Sequence, residues 1–289
     1  MRLRGLLLTL ATSCLFGLGA VLAKILGEGF QPFFVSWLAL SGGGLCILIC
    51  QLLRRKPLLP PAMTRASWID IFLFASIGTA LPLVCIIIGL PQTGAITGSF
   101  LLQLQSPATL IFALLFLKER MRGKQLAGML LLFVGSLLVI WRAPGSSLQF
   151  SGGWGALLVI IAAVGIGFSY IPAKRLTKYG DALQMNLLRL LVGSALFLPL
   201  LPFQTPVMLA PLTLSLVGAL VLYSVANFGL GYIFLQAGIG LLQAWEASAI
   251  MQTLPLFSTV FAILLLHESL TLLQIIGGCI ILVGGFLLI

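Results

Sequence analysis

The chain has 289 residues and a net charge of +10, and 60% of its residues are hydrophobic while only 8% are charged. Soluble globular proteins carry about 25% charged residues, so this composition excludes an ordinary soluble domain. A mean hydropathy of +1.19 predicts a polytopic membrane protein. The apolar segments are continuous and lack the alternation of barrel strands, which makes the predicted fold class all-α.

Ten apolar segments are predicted, five in each half of the chain, and each is long enough to cross a hydrocarbon core of about 30 Å. The first segment follows two arginines, but its apolar run is too long for a signal peptide. The segments cover approximately residues 5–26, 33–53, 68–90, 94–117, 125–141, 154–174, 183–202, 212–236, 242–266 and 270–289.

The distribution of basic residues predicts the orientation of the chain, because cytoplasmic loops carry an excess of Lys and Arg. Placing both termini in the cytoplasm puts most of the basic residues on that side. The net charge is therefore an orientation signal, and no nucleic-acid partner is expected. The residues on the cytoplasmic side would be Arg2, Arg4, Arg54, Arg55, Lys56, Arg65, Lys118, Arg120, Arg122, Lys124, Lys174, Arg175 and Lys178.

The stretch 105–140 resembles the stretch 252–289. An offset of 149 positions sets Glu268 on Glu119, Gln274 on Gln125, Gly277 on Gly128 and Gly284 on Gly135. Each copy contains a proline, an apolar helix, a turn with a glutamate and a helix with glycines seven apart. Because each half has an odd number of helices, the halves form an inverted repeat. The predicted units are residues 1–142 and 154–289, with a linker at 143–153.

This repeated unit resembles the drug/metabolite transporter superfamily, specifically its EamA-like family, over essentially the whole chain. Arg189 matches an arginine common in the second helix of such repeats, whereas Ala39 stands at the corresponding place of the first half. The resemblance implies a carrier that moves small metabolites by alternating access. It also implies that the first four helices of each half line a central cavity, with the fifth helices outside.

Ionisable groups inside a membrane are costly and are functional candidates by default. Arg189 and Glu246 lie at similar depth in helices that start on the cytoplasmic side, so we hypothesise that they pair when the cavity is empty. A static ion pair is the structural alternative. Glu119 and Glu268 are expected to cap or brace the next helix. Lys174 lies at a helix end, where it either snorkels to the headgroups or gates the cavity.

Three prolines predict kinks that would serve as hinges, because each removes a backbone hydrogen bond. They are Pro82, Pro107 and Pro255. Polar side chains near the kinks either satisfy the freed carbonyls or face the cavity. Aromatic residues near helix ends belong either to the interfacial belt or to a cavity wall. The remaining candidates for the cavity are Trp37, Gln103, Gln105, Asn186, Tyr223, Asn227, Tyr232, Trp245 and Gln252.

The sequence therefore predicts a secondary active transporter for a small organic metabolite, such as an amino acid, driven by a solute or proton gradient. It would lie in a bacterial-type cytoplasmic membrane. No nucleotide-binding loop is present, and scattered cysteines with a single histidine predict no metal and no cofactor. The alternative is a membrane-embedded enzyme acting on a lipid or isoprenoid substrate, although the acidic cluster that such enzymes need is missing.

Overall fold

The computed structural model describes residues 1–55, 57–60, 63–93, 101–140, 153–204, 211–266 and 272–288. Within these ranges the chain consists of helices joined by short connections. The predicted linker at 143–153 lies almost wholly outside them, as do His267 and Glu268. We number the α-helices α1 Arg2–Gly29, α2 Pro32–Leu53, α3 Arg65–Ala75, α4 Leu81–Thr93, α5 Gln105–Phe112, α6 Gly123–Ile140, α7 Trp154–Leu176, α8 Ala182–Phe197, α9 Leu214–Leu222, α10 Tyr232–Leu241, α11 Ala244–Met251, α12 Leu254–Leu266 and α13 Leu272–Leu288.

Seven helical runs of the described residues are long and apolar enough to cross a membrane. Three shorter apolar helices, Gln105–Leu117, Gly123–Gly135 and Ile275–Leu287, accompany them. The protein is thus an all-helical integral membrane protein with multiple spans. Large hydrophobic side chains such as Leu264 and Phe286 are exposed on the outside of the bundle, as expected of a surface in contact with lipid.

Two predicted helices, 94–117 and 242–266, are not continuous. In the predicted helix 94–117, residues 94–100 lie outside the described residues. The second half of this predicted helix forms α5 and a following turn. Helix α5 begins after a turn at Gln103 and Leu104, and α12 begins after a turn at Gln252 and Thr253. Pro107 and Pro255 lie in the first turn of α5 and α12, where a missing N–H costs nothing. The predicted kinks are therefore complete helix breaks.

Three wide π-helical turns connect α-helices, and the sequence did not predict them. They are Ser76–Ala80 between α3 and α4, Ala113–Leu117 after α5, and Tyr223–Gly231 between α9 and α10. Pro82 follows the first of these turns, so the widened backbone accommodates the proline within an otherwise continuous helix. Such segments release backbone carbonyls from the regular helical pattern, and these carbonyls accept hydrogen bonds from side chains.

Helices α6 and α13 form the most extensive helix pair in the described structure. A Cβ atom on Gly128 would lie 2.9 Å from the Gly284 carbonyl oxygen, and one on Gly135 would lie 2.8 Å from that of Gly277. These glycines therefore serve helix packing, because only hydrogen at Cα lets the two backbones approach this closely.

Candidate functional site: a buried arginine and a polar cluster at one end

Arg189 on α8 is fully buried, with 0% of its surface exposed. Its guanidinium carbon lies 3.4 Å from the ring centroid of Tyr232 and 4.9 Å from that of Phe74. None of its three nitrogens makes a hydrogen bond of acceptable geometry with the described residues. The cation is therefore held mainly by Tyr232, whose polar group also acts on it, and by the face of Phe74, and these contacts recover only part of the cost of its dehydration. Its unused donors match a bidentate anionic group such as a carboxylate.

The sequence places Arg189 through a well-capped helix. Asp181 Oδ1 accepts a hydrogen bond from Gln184 N at 2.9 Å, which starts α8 on the turn before Asn186. Asn186 and Arg189 are three residues apart and share a helix face. The Asn186 amide donates to the Phe228 carbonyl at 2.9 Å, within the π segment Tyr223–Gly231. This bond fixes α8 against that segment and so sets the position of the guanidinium.

A row of aromatic rings runs beside the guanidinium. Tyr223 meets Phe228 with 5.3 Å between ring centroids, Phe228 meets Tyr232 at 5.9 Å, and Tyr232 meets Phe16 at 4.8 Å. The predicted residues Tyr223 and Trp37 both pack against the buried cluster around Phe228. Tyr223 thus belongs to the aromatic row that reaches Arg189 through Tyr232, whereas the ring contact of Trp37 is with Phe34.

Asn227 lies on the same π segment as Tyr223. Its Oδ1 is buried and has no hydrogen-bond partner among the described residues. A Cβ on Gly19 would lie 2.7 Å from this oxygen, so α1 approaches the segment closely. Arg189 and Asn227 therefore both have buried hydrogen-bonding atoms without a partner in the described structure. Such groups are usually satisfied by a ligand or by water.

The glutamines near the prolines form a second polar region, between the two helix breaks. Gln252 Nε2 donates to the Gln103 carbonyl at 3.4 Å. This carbonyl also accepts from the Ser106 backbone N at 3.3 Å, at the turn that precedes α5. Gln103 Oε1 is buried without a partner in the described structure. The Gln105 carbonyl accepts from Thr109 Oγ1 at 2.8 Å.

The hypothesised pair of Arg189 and Glu246 is not formed. Glu246 Oε1 accepts from Arg2 at 3.0 Å, and Oε2 accepts from the backbone N of Gln243 at 3.0 Å. The carboxylate is thus engaged by the first turn of its own helix α11 and by the start of α1. Similar depth along two helices did not determine which side chains face each other.

Glu119 caps a different helix from the expected one. Its two carboxylate oxygens each accept from the Ala244 backbone N at 2.9 Å, at the start of α11. Burial raises the pKa of Glu119 and Glu246 adds to this, while the bonded amides and Lys174 act in the opposite direction. Lys174 Nζ donates to the Ile239 carbonyl at 2.6 Å and to the Leu242 carbonyl, at the end of α10. Lys174 therefore holds a helix end rather than snorkelling.

Trp245 follows Ala244 and is 1% exposed, so it does not belong to an interfacial belt. Its indole N–H donates to Gln243 Oε1. Together with Glu119, Lys174 and Glu246 it forms a polar cluster that joins α1, α7, α11 and the turn after α5 at one end of the bundle. No group of three or more His, Cys, Asp or Glu side chains suited to a metal ion occurs within the described ranges.

A polytopic helical bundle with buried, unsatisfied polar groups has the features that a membrane transport protein needs, and sequence comparison identifies the family. The profile of the EamA-like transporter family matches residues 3–141 and 153–289. The chain belongs to the EamA-like transporter family.

Individual relatives are also transporters by name. An "uncharacterized transporter" of Methanothermobacter thermautotrophicus is 22% identical over 99% of this chain and 86% of its own length. A "probable amino-acid metabolite efflux pump" of Salmonella typhimurium is 29% identical over 65% of this chain, and the match spans 65% of that protein. One crystal structure shares the fold with a TM-score of 0.84 at 18% identity, covering 99% of this chain and 96% of that one.

Proposed function

We propose that this protein is a secondary active carrier that moves a small organic metabolite with a carboxylate group by alternating access. The observation that carries the proposal is the buried guanidinium of Arg189, whose three nitrogens have no hydrogen-bond partner in the described structure. A carboxylate would supply the two acceptors that a guanidinium fork matches. The aromatic row from Tyr223 to Phe16 would pack against the apolar part of the solute.

The architecture that we propose is ten spanning helices in two inverted five-helix repeats, residues 1–142 and 154–289. Helix contacts that recur at the repeat offset support it. A Cβ on Gly17 would meet Phe257 and Ser258, and one on Gly167 would meet Ala108 and Thr109. Gly17 corresponds to Gly167 at an offset of 150 positions. Ala108 and Thr109 correspond to Phe257 and Ser258 at an offset of 149 positions.

The proposed solute class also agrees with the relatives named as amino-acid metabolite efflux pumps, found in Salmonella typhimurium and Escherichia coli. An amino acid or a close derivative carries both a carboxylate for Arg189 and a side chain for the aromatic row. Export through a bacterial-type cytoplasmic membrane is the direction that these names support.

Alternating access requires a gate at each end of the cavity. We assign the cytoplasmic gate to the polar cluster at the start of α11, because both Arg2 and the basic turn 118–122 lie there. The Arg2–Glu246 ion pair and the bonds from Ala244 to Glu119 connect early and late parts of the chain. In this arrangement the gate is closed, and opening would break these contacts.

Glu119 is the group through which we propose that protons act on this gate. Its raised pKa means that the closed gate binds a proton more tightly than a gate in which Glu119 is hydrated. Proton uptake therefore favours closure. The charged groups that act on it are Lys174 of α7 and Glu246 of α11.

Reconstitution into liposomes tests the proposal. Vesicles loaded with radiolabelled amino acids are assayed for efflux with and without an imposed pH gradient, and each solute is compared with its decarboxylated amine. We expect efflux of the carboxylate forms by the wild type and a loss of at least about tenfold in Arg189→Gln, since one charge-assisted pair contributes about 1.5–3 kcal/mol. The exposed Arg65→Gln is the matched control. Equal transport of acids and amines, or undiminished efflux by Arg189→Gln, would contradict the assignment.

A further inference from the structure

An open cleft of about 590 Å³ lies at the end of the bundle that carries the proposed gate, and Arg189 is not among the residues that line it. Its walls come from the start of α1, the turn before α6, and the start of α11. Three arginines line it, Arg2, Arg120 and Arg122, together with Glu246. The cleft therefore holds three cationic side chains and one anionic one.

The side chains that line this cleft have more free hydrogen-bond donors than free acceptors. Glu246 already accepts from Arg2 and from the Gln243 backbone N. Gln243 Oε1 accepts from Trp245, and Gln125 Oε1 accepts from the Arg122 backbone N at 2.9 Å. The oxygens of the lining side chains are thus occupied, while both glutamine amide groups keep N–H donors for a ligand.

The guanidinium groups of Arg120 and Arg122 make no hydrogen bond or ion pair with the described residues, and both side chains are exposed. They sit directly before Gly123, where α6 begins. The first N–H groups of that helix add a positive potential in the same place. Several guanidinium forks beside a helix start match the tetrahedral oxygens of phosphate better than the single plane of a carboxylate.

We infer that this cleft is a binding site for a phosphate group, separate from the transported solute. Two kinds of phosphate group are accessible to a site at a helix end. They are a free phosphate in solution and the phosphodiester of an anionic lipid headgroup. Basic residues at such positions are attracted to anionic lipids. Arg2 belongs both to the cleft and to the ion pair with Glu246, so a bound phosphate would compete for a contact of the gate.

The test uses the purified full-length chain in a neutral detergent. Binding is measured by microscale thermophoresis with inorganic phosphate, with dioctanoyl phosphatidylglycerol, and with dioctanoylglycerol, which lacks the phosphate. The variant is Arg120→Gln/Arg122→Gln, and its matched control is Arg54→Gln/Arg55→Gln, which removes the same charge from the end of α2. Size-exclusion elution and thermal stability without ligand verify folding, and Arg122→Glu at the exposed start of α6 serves as a second variant.

We expect the phosphate-bearing probe to bind the wild type and the control alike and the cleft variants about tenfold or more weakly. Binding of phosphatidylglycerol alone assigns the site to a lipid headgroup, and binding of both phosphate probes assigns it to the phosphate group itself. Three outcomes overturn the inference: equal loss in the cleft variant and its control, equal binding of dioctanoylglycerol, or no binding of either phosphate probe. None of them bears on solute transport through Arg189.

Discussion

Replacing Arg189 by methionine is expected to raise the stability of this protein while abolishing its transport. The guanidinium is fully buried, and its three nitrogens lack acceptors in the described structure. Each unmade bond costs about 1–3 kcal/mol, and contact with a desolvated aromatic ring returns about 2 kcal/mol. Three unmade bonds at about 2 kcal/mol each outweigh the contacts with two rings, Tyr232 and Phe74, at about 2 kcal/mol each. The buried charge therefore destabilises the empty site by about 2 kcal/mol. Methionine has a similar length and no donors.

The assay is thermal unfolding in detergent, followed by intrinsic fluorescence at one fixed scan rate. A gain of about 2 kcal/mol corresponds to an increase in apparent Tm of roughly 4–6 °C. Arg65→Met is the control, because Arg65 is exposed at the start of α3 and its replacement should shift the stability by less than about 0.5 kcal/mol. A transported carboxylate should stabilise the wild type and leave Arg189→Met unchanged.

The reasoning is refuted if Arg189→Met unfolds several degrees below the wild type. That result would mean that the cation contributes to the stability of the bundle, and the site would then not be built for an absent anion. An increase in Tm with transport retained would equally contradict the proposed role, since the arginine would be costly without being used.

Two further predictions concern the gate and the glycine contact. Glu119→Ala leaves buried N–H groups at the start of α11 unbonded and should cost about 1–3 kcal/mol, whereas Glu119→Gln keeps an acceptor and should cost less. Because burial raises the pKa of Glu119, the stability of the wild type should fall as pH rises from the usual glutamate range through the raised pKa, and Glu119→Gln should flatten this dependence. Gly135→Ala places a Cβ 2.8 Å from the Gly277 carbonyl and should cost about 1–3 kcal/mol, while Gly123→Ala, with nothing within 4 Å, should be neutral in the same thermal assay.

The glycines and prolines of the repeated stretches allowed helix packing and helix interruptions to be predicted, because these effects depend on local chemistry. Glycines seven apart stand on one helix face, and a close approach of α6 and α13 follows wherever the helices end up side by side. Pro107 and Pro255 interrupt their helices for a reason contained in the proline ring itself. The all-helical membrane class and the family resemblance followed from the same kind of signal.

The partners of individual charges could not be predicted, because they depend on which helices become neighbours. Glu119 was expected to cap the next helix but instead binds the start of α11, 125 residues away. Glu246 was paired with Arg189 from depth alone, whereas its partner Arg2 lies at the other end of the chain. Neither contact has a local sequence signal. The π segment Tyr223–Gly231 was missed for a related reason, since its carbonyls are stabilised by Asn186 of another helix.

The contact between α6 and α13 has one more consequence. In the sequence repeat Gly128 corresponds to Gly277 and Gly135 to Gly284, yet in space Gly128 meets Gly284 and Gly135 meets Gly277. The surface of α6 that packs against α13 is therefore equivalent to the surface of α13 that packs against α6. Such a self-complementary surface would also join two identical half-length chains inserted in opposite directions. If residues 1–142 and 154–289 are inserted in opposite directions, as we propose, this one surface would hold the two halves together although they differ elsewhere, as at Ala39 and Arg189.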